Sequence, residues 1–103
     1  LLAEGDAIEV GDICLQVIET PGHTPGGIVL FAATEQGSIA FVGDTLFPGS
    51  HGRTDLSGGD EAAILRSLSK LARLLPPDTV CLTGHGASTT MARELMQNPF
   101  MQM

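Results

Sequence analysis

Apolar positions fall into short β-type runs before residue 45 and into a helical spacing after residue 60. Residues 7–10 (AIEV) and 13–19 (ICLQVIE) are two such runs, and the Gly11-Asp12 pair between them fits a hairpin turn, though less well than Asn-Gly. In the second run Ile13, Leu15 and Val17 alternate onto one face, while Cys14, Gln16 and Ile18 give the other a mixed character. Residues 20–27 hold two prolines and three glycines, which excludes strand or helix interior. Residues 28–33 (IVLFAA) and 38–42 (SIAFV) are further strand candidates, and residues 45–59 read as one long loop. From Asp60 the period changes: Ile64, Leu68, Leu71 and Leu75 line one face of a helix that Asp60, or a capping box from Ser57, begins and Pro76-Pro77 ends. Residues 80–83 (VCLT) form a short strand. A second helix covers 89–97, capped by Ser88 or Thr89, with Met91, Leu95 and Met96 as its apolar side and Asn98-Pro99 as its stop. The order is β-β-β-β-α-β-α, an α/β arrangement without internal repeat.

Composition narrows this picture. A chain of 103 residues is at most one small domain, and an apolar fraction of 43% supplies a core. With no Trp or Tyr and four Phe, that core rests on Leu, Ile, Val, Ala and Met. Small domains bury a smaller share of their surface, so a partner, a metal or further chain would add stability. Twelve acidic against five basic residues give a net charge of -7, and the basic ones are scattered from Arg53 to Arg93, which excludes a nucleic-acid footprint. No apolar run is long enough to span a membrane, and no basic segment precedes one, so a cytoplasmic protein is the expectation. Cys14 and Cys81 sit in apolar runs and are expected to be buried free thiols. Leu1-Leu2-Ala3 opens without Met and runs straight into a strand, which reads as a chain cut from something longer.

Three strand candidates lead into loops that carry a possible ligand. His23 follows 13–19, Asp44 follows 38–42 and His85 follows 80–83, each beside glycine: Gly22, Gly43, and Gly84 with Gly86. Strand ends fix backbone position, and small neighbours let the backbone crowd a compact centre. Imidazole with carboxylate suits zinc, iron or manganese. Each residue also has a plain structural role open to it: a turn hydrogen bond for His23, an Asx turn or cap for Asp44, a satisfied core position for His85. Arg53 pairs with Asp55 or Asp60 to stiffen the long loop, or meets a substrate anion. His51 reads as a surface residue.

The segments TPGHTPG (20–26), FVGDTLFPGSHGRTDLSGGD (41–60), TGHG (83–86), TT (89–90) and NPF (98–100) stand in an order and spacing that resemble the C-terminal half of the metallo-β-lactamase fold, closest to its glyoxalase II-like hydrolases. The resemblance covers essentially the whole chain. It implies an αββα sandwich of which residues 1–103 are a partial domain lacking the N-terminal half. It also implies two metals, with His23 on the first, Asp44 bridging both in the catalytic centre, and His85 on the second. Zinc is the metal expected of the complete protein, with iron or manganese as alternatives. The implied reaction is hydrolysis of a small-molecule thioester or ester, such as a glutathione thioester, by a metal-activated water. In this family Arg53 and Asp55 belong to a GRTD stretch near the metals.

The family's first metal motif, HxHxDH, does not occur: the only histidines are His23, His51 and His85. Each half-site then falls short of the three or four protein ligands zinc usually takes. One apolar sheet face is expected to lie exposed, to be covered by the missing N-terminal half or by a domain-swapped or oligomeric partner. This chain alone is accordingly expected to be inactive, with partial or no metal occupancy. Two alternatives are a non-catalytic remnant that binds metal weakly, and an iron-dependent persulfide dioxygenase-like enzyme, since related iron enzymes share the GDxLxxxxxGRTD-like stretch.

Overall fold

The alternation in the first 43 residues closes into an antiparallel meander. In the computed structural model, which describes residues 2–101, β1 (Ala7–Val10), β2 (Ile13–Glu19), β3 (Ile28–Thr34) and β4 (Gly37–Gly43) pair successively. Val10 stands opposite Ile13 across the Gly11-Asp12 turn, and Gly11 takes the positive φ (61°) that the turn requires. The chain then leaves the sheet through a short ribbon, β5 (Leu46–Phe47) and β6 (Ser50–His51), and the helix α1 (Glu61–Leu74). It returns as β7 (Val80–Thr83), parallel to β4, followed by β8 (Ser88–Thr90) and α2 (Met91–Gln97). Only a long crossover can join parallel neighbours, and the ribbon with α1 provides it. The main sheet has six strands in the order β1-β2-β3-β4-β7-β8.

Both helices cover the same face of that sheet. Ile18, Val29, Ala40, Val42 and Cys81 point into a core completed by Leu68, Leu71 and Leu75 from α1 and its end, Met91 from α2, and Leu46 and Met101. Burial of Ala63, Ile64, Ser67, Leu68 and Leu71 follows the three-four spacing of the sequence. Each fully buried Leu contributes roughly 1.5–3 kcal/mol. Asp60 caps α1 by accepting the Ala63 N–H at 3.0 Å, and Ser57 plays no part.

The other face is apolar and open. Paired positions Val10 and Ile13, Leu30 and Phe41, Ile39 and Val80, and Phe41 and Leu82 all lie on it. Val10 is 58% exposed, Ile13 47% and Phe41 45%. This is the half-sandwich expected of a C-terminal half: one helix layer and one sheet.

Four local expectations change. Residues 45–59 are not all loop, because residues 46–51 make the β5–β6 ribbon. The second helix begins at Met91 rather than 89, since the β-branched Thr89 and Thr90 pair with Cys81 and Val80 in an edge strand; Thr90 is the N-cap, accepting from Arg93 N–H. The apolar side of α2 differs too: Met91 is buried, yet Met96 is 76% exposed and Glu94 takes the inward place at 1%. Glu94 stands three residues after Met91 on the same helix face, and polar partners await it there. Finally, Cys14 is exposed while Cys81 is buried, both as free thiols. Cys14 faces the helix side, but the β1–β2 corner extends past the helices, leaving Glu9 and Gln16 exposed with it.

Burial pushes the Cys81 thiol up to about 11. A thiol reagent at neutral pH should therefore modify one thiol per native chain, and Cys14→Ser should abolish that labelling. Cys81 should react only in denaturant. Two fast thiols in the native chain would contradict the packing described.

Candidate metal centre

Strand direction assembles this site. β2 runs antiparallel to β3, β3 to β4, and β4 parallel to β7, so β2, β4 and β7 all point the same way. Their C-terminal ends share one edge of the sheet, where His23, Asp44 and His85 meet. The loops are tied to each other: Gly84 N–H donates to Gly43 O at 2.9 Å, and the Thr20 and Thr45 hydroxyls share a buried hydrogen bond of 3.0 Å. The β4–β7 register shifts between Phe41 and Gly43, a bulge that re-aims the chain just before Asp44.

Asp44 offers one oxygen to each imidazole. His23 Nε2 lies 3.6 Å from Oδ2, and His85 Nε2 lies 3.3 Å from Oδ1. His23 Nδ1 stands 2.7 Å from the carbonyl oxygen of Arg53. A carbonyl can only accept, so Nδ1 carries the proton and, in the neutral ring, Nε2 turns its lone pair toward Asp44. A ring N–H given to a backbone carbonyl is the support that metal-ligating histidines usually have. Side-chain exposure rises from His23 (27%) through Asp44 (44%) to His85 (74%), so the centre opens to solvent on the His85 side. There the Phe47 ring lies 5.4 Å from the His85 ring, centroid to centroid.

The three side chains do not converge on one point. Among the described residues no group of three or more His, Cys, Asp or Glu is placed to hold a single metal ion. The geometry instead gives two neighbouring pairs, His23 with Asp44 and Asp44 with His85, that share the carboxylate. The donor set fits metal binding in kind, with imidazole nitrogen and carboxylate oxygen, and falls short of it in number.

Glycines make this proximity possible. A Cβ on Gly52 would stand 1.8 Å from Asp44 O and 3.1 Å from the His23 ring, and one on Gly84 would stand 2.9 Å from Asp44 Oδ1. Gly22, at φ 144°, leaves no room for a side chain against Ile64 of α1. Its carbonyl accepts the Asp60 N–H at 2.7 Å, which seats the His23 loop on the start of α1.

Arg53 forms a two-pronged pair with Asp55, Nε to Oδ1 at 2.7 Å and Nη2 to Oδ2 at 3.0 Å. The guanidinium lowers the Asp55 pKa and the carboxylate raises that of Arg53. Both groups are largely exposed, so the pair shapes the loop more than it stabilises the fold. The contact of Arg53 with the centre is its backbone carbonyl on His23. His51 points away to Phe100, edge to face at 4.4 Å. Sequence reading missed the Thr20–Thr45 bond and the Phe47–His85 contact, which no spacing along the chain announces.

Residues 1–85 match the model of the metallo-β-lactamase superfamily. Hydroxyacylglutathione hydrolase GloC of Haemophilus influenzae is 35% identical over 98 residues, 95% of this chain and 45% of that protein. The crystal structure of the BLEG-1 B3 metallo-β-lactamase superposes with a TM-score of 0.87 at 38% identity, covering 100% of this chain and 48% of that one. TTHA1623 in a di-iron-bound form gives 0.81 at 40% identity, covering 96% and 46%. The chain spans about half the length of the curated relatives it matches.

The glycine contacts separate stability from site geometry. Gly84→Ala presses on the end of the Asp44 side chain and otherwise makes ordinary contact with the Gly43 backbone, so urea unfolding should change by less than about 1 kcal/mol while the His85 ring resonances shift. Gly52→Ala collides with backbone and should cost about 1–3 kcal/mol. Equal losses in the two variants would refute this distinction.

Proposed function

Because this chain belongs to the metallo-β-lactamase superfamily, we propose that it is the carboxylate-bridging half of a metal-dependent hydrolase acting on small thioesters, of which glutathione thioesters are the leading class. The observation that carries this reading is the pair of Asp44 oxygens, each facing the Nε2 of a different histidine. Two dications a few ångströms apart repel, and a shared carboxylate offsets that repulsion. His23 and Asp44 would hold one ion, Asp44 and His85 the other. When bound, such ions lower the pKa of water and polarise an ester or thioester carbonyl. The net reaction adds one water to the thioester and yields a carboxylic acid and a thiol. The name of the Haemophilus influenzae relative, a hydroxyacylglutathione hydrolase, supports that substrate class.

Each ion has two ligands here, short of the three or four that zinc usually takes. The remaining ligands are to come from a complementary half or an oligomeric partner seated on the open apolar face. That such a half exists in relatives is supported by chains about twice this length that share the fold. Zinc is the first candidate metal; the di-iron form of a solved relative supports iron as the second.

Zinc titration of the chain should show weak binding that Asp44→Asn reduces roughly tenfold or more, while His23→Ala and His85→Ala each remove one part of it. Unchanged affinity in Asp44→Asn would overturn the bridging role. S-lactoylglutathione hydrolysis by the zinc-loaded chain alone should match zinc in buffer. It should appear when the N-terminal half of Haemophilus influenzae GloC is fused ahead of the chain. A folded, metal-loaded fusion without thioesterase activity would overturn the substrate class.

A further inference from the structure

The sequence motif residues Thr89 and Asn98 have no part in the centre described so far, yet they enclose the most buried carboxylate of the chain. Glu94 is 1% exposed, Asn98 0% and Thr89 5%. Glu94 Oε2 accepts from the Thr89 hydroxyl at 2.7 Å. Its Oε1 accepts from the Gly49 N–H and from Asn98 Nδ2, both at 2.9 Å. Asn98 Nδ2 also donates to Ser50 O at 3.0 Å, and Asn98 Oδ1 accepts the Phe100 N–H at 2.9 Å. Phe100 in turn meets the His51 ring. A carboxylate removed from water is stable only when its oxygens are this fully occupied.

Two of these bonds, to Gly49 N–H and Ser50 O, reach one segment. Gly49 lies in the turn at the tip of the β5–β6 ribbon and Ser50 begins its second strand; these strands are two residues each and do not pair with the main sheet. A ribbon that short has little stability of its own. Leu46 anchors its base in the core, and Glu94 with Asn98 anchors its tip. Phe47, which pairs with Ser50 across the ribbon, lies against the His85 ring. His85 is 74% exposed and has no other aromatic neighbour among the described contacts.

We propose that Glu94 is a positioning residue for the centre: by fixing the ribbon tip from α2 it holds Phe47 against His85 and so sets the Asp44–His85 pair. The inference takes the metal centre proposed above as its context, but its structural step does not require metal. The carboxylate acts only through hydrogen bonds, so an amide can replace it. In Glu94→Gln the side-chain oxygen keeps Gly49 and Asn98, and the Thr89 hydroxyl reverses to accept from the new NH₂ group. Glu94→Ala leaves those donors buried and unpaired.

The test compares Glu94→Gln, Glu94→Ala and Phe47→Ala in the metal-free chain by NMR. The native chain should show a nuclear Overhauser contact between the Phe47 and His85 rings and slow exchange of the Gly49 amide. Glu94→Gln should keep both. Glu94→Ala should lose both, and Phe47→Ala should keep Gly49 protection while moving the His85 ring signals. Should Glu94→Ala fail to fold, Asn98→Ala, which removes the bonds to Glu94 and Ser50, should move the His85 signals in the same direction as Phe47→Ala. Zinc titration should then show Glu94→Ala and Phe47→Ala weakening the His85-dependent part of binding by roughly tenfold, with the His23-dependent part unchanged. A folded Glu94→Ala chain with native His85 signals would overturn the positioning role, as would uniform loss at both histidines. If the native chain binds no zinc, the metal reading falls, while the ring contact and the Gly49 amide still decide the role of Glu94.

Discussion

The parallel pairing of β4 with β7 is the constraint on which the rest depends. Three antiparallel turns alone would alternate loop ends between the two edges of the sheet. The crossover through the ribbon and α1 instead brings β7 back in the direction of β4, so that β2, β4 and β7 end together. The meander already brings His23 to Asp44, and the crossover adds His85 to the other oxygen of the same carboxylate. The bulge at the end of β4 and the Gly84–Gly43 backbone bond refine that placement. The glycines follow from it, since Gly52 and Gly84 stand where any Cβ would press on Asp44.

The same sheet is covered on one face and open on the other. Its helix-facing side is filled from Ile18 across to Cys81, whereas its other side presents Val10, Ile13, Ile39, Phe41 and Val80 to water. A sheet apolar on both faces is the pattern of one buried on both. An exposed apolar face of this kind forgoes the stabilisation that covering it would give, about 25 cal/mol for each Å² removed from water. On the reading proposed above, a half that covers this face would also bring side chains to the edge where the strands end.

Much of this was legible in sequence. The meander, α1 and its Asp60 cap follow from alternation, a Gly-Asp turn and three-four spacing, all local signals that the tertiary structure reinforces. The candidate positions His23, Asp44 and His85 stood out in sequence because each sits where a strand gives way to glycine. What escaped reading was set by partners far along the chain. Ser88 and Thr89 look like helix caps until the free edge of β7 claims them as a strand and leaves Thr90 as the cap. Glu94 was not singled out in sequence, because the Gly49 N–H that donates to it lies forty-five residues earlier. Cys14 looks like a core thiol because its run is apolar, and nothing local reveals that the helices stop short of it.

Core and candidate centre divide the labour of this fold. Asp44 and His85 lie on the exposed rim, so neither desolvation nor packing ties them to the stability of the core. The sheet and helices therefore keep their own hydrophobic support whatever happens at the rim. Glu94 is the exception, a carboxylate inside the packed layer whose bonds hold both α2 and the ribbon. It is the point at which the fold and the mouth of the site share one set of interactions. Change in α2 reaches His85 through that ribbon, whereas α1 meets the His23 loop directly, where Gly22 O accepts the Asp60 N–H.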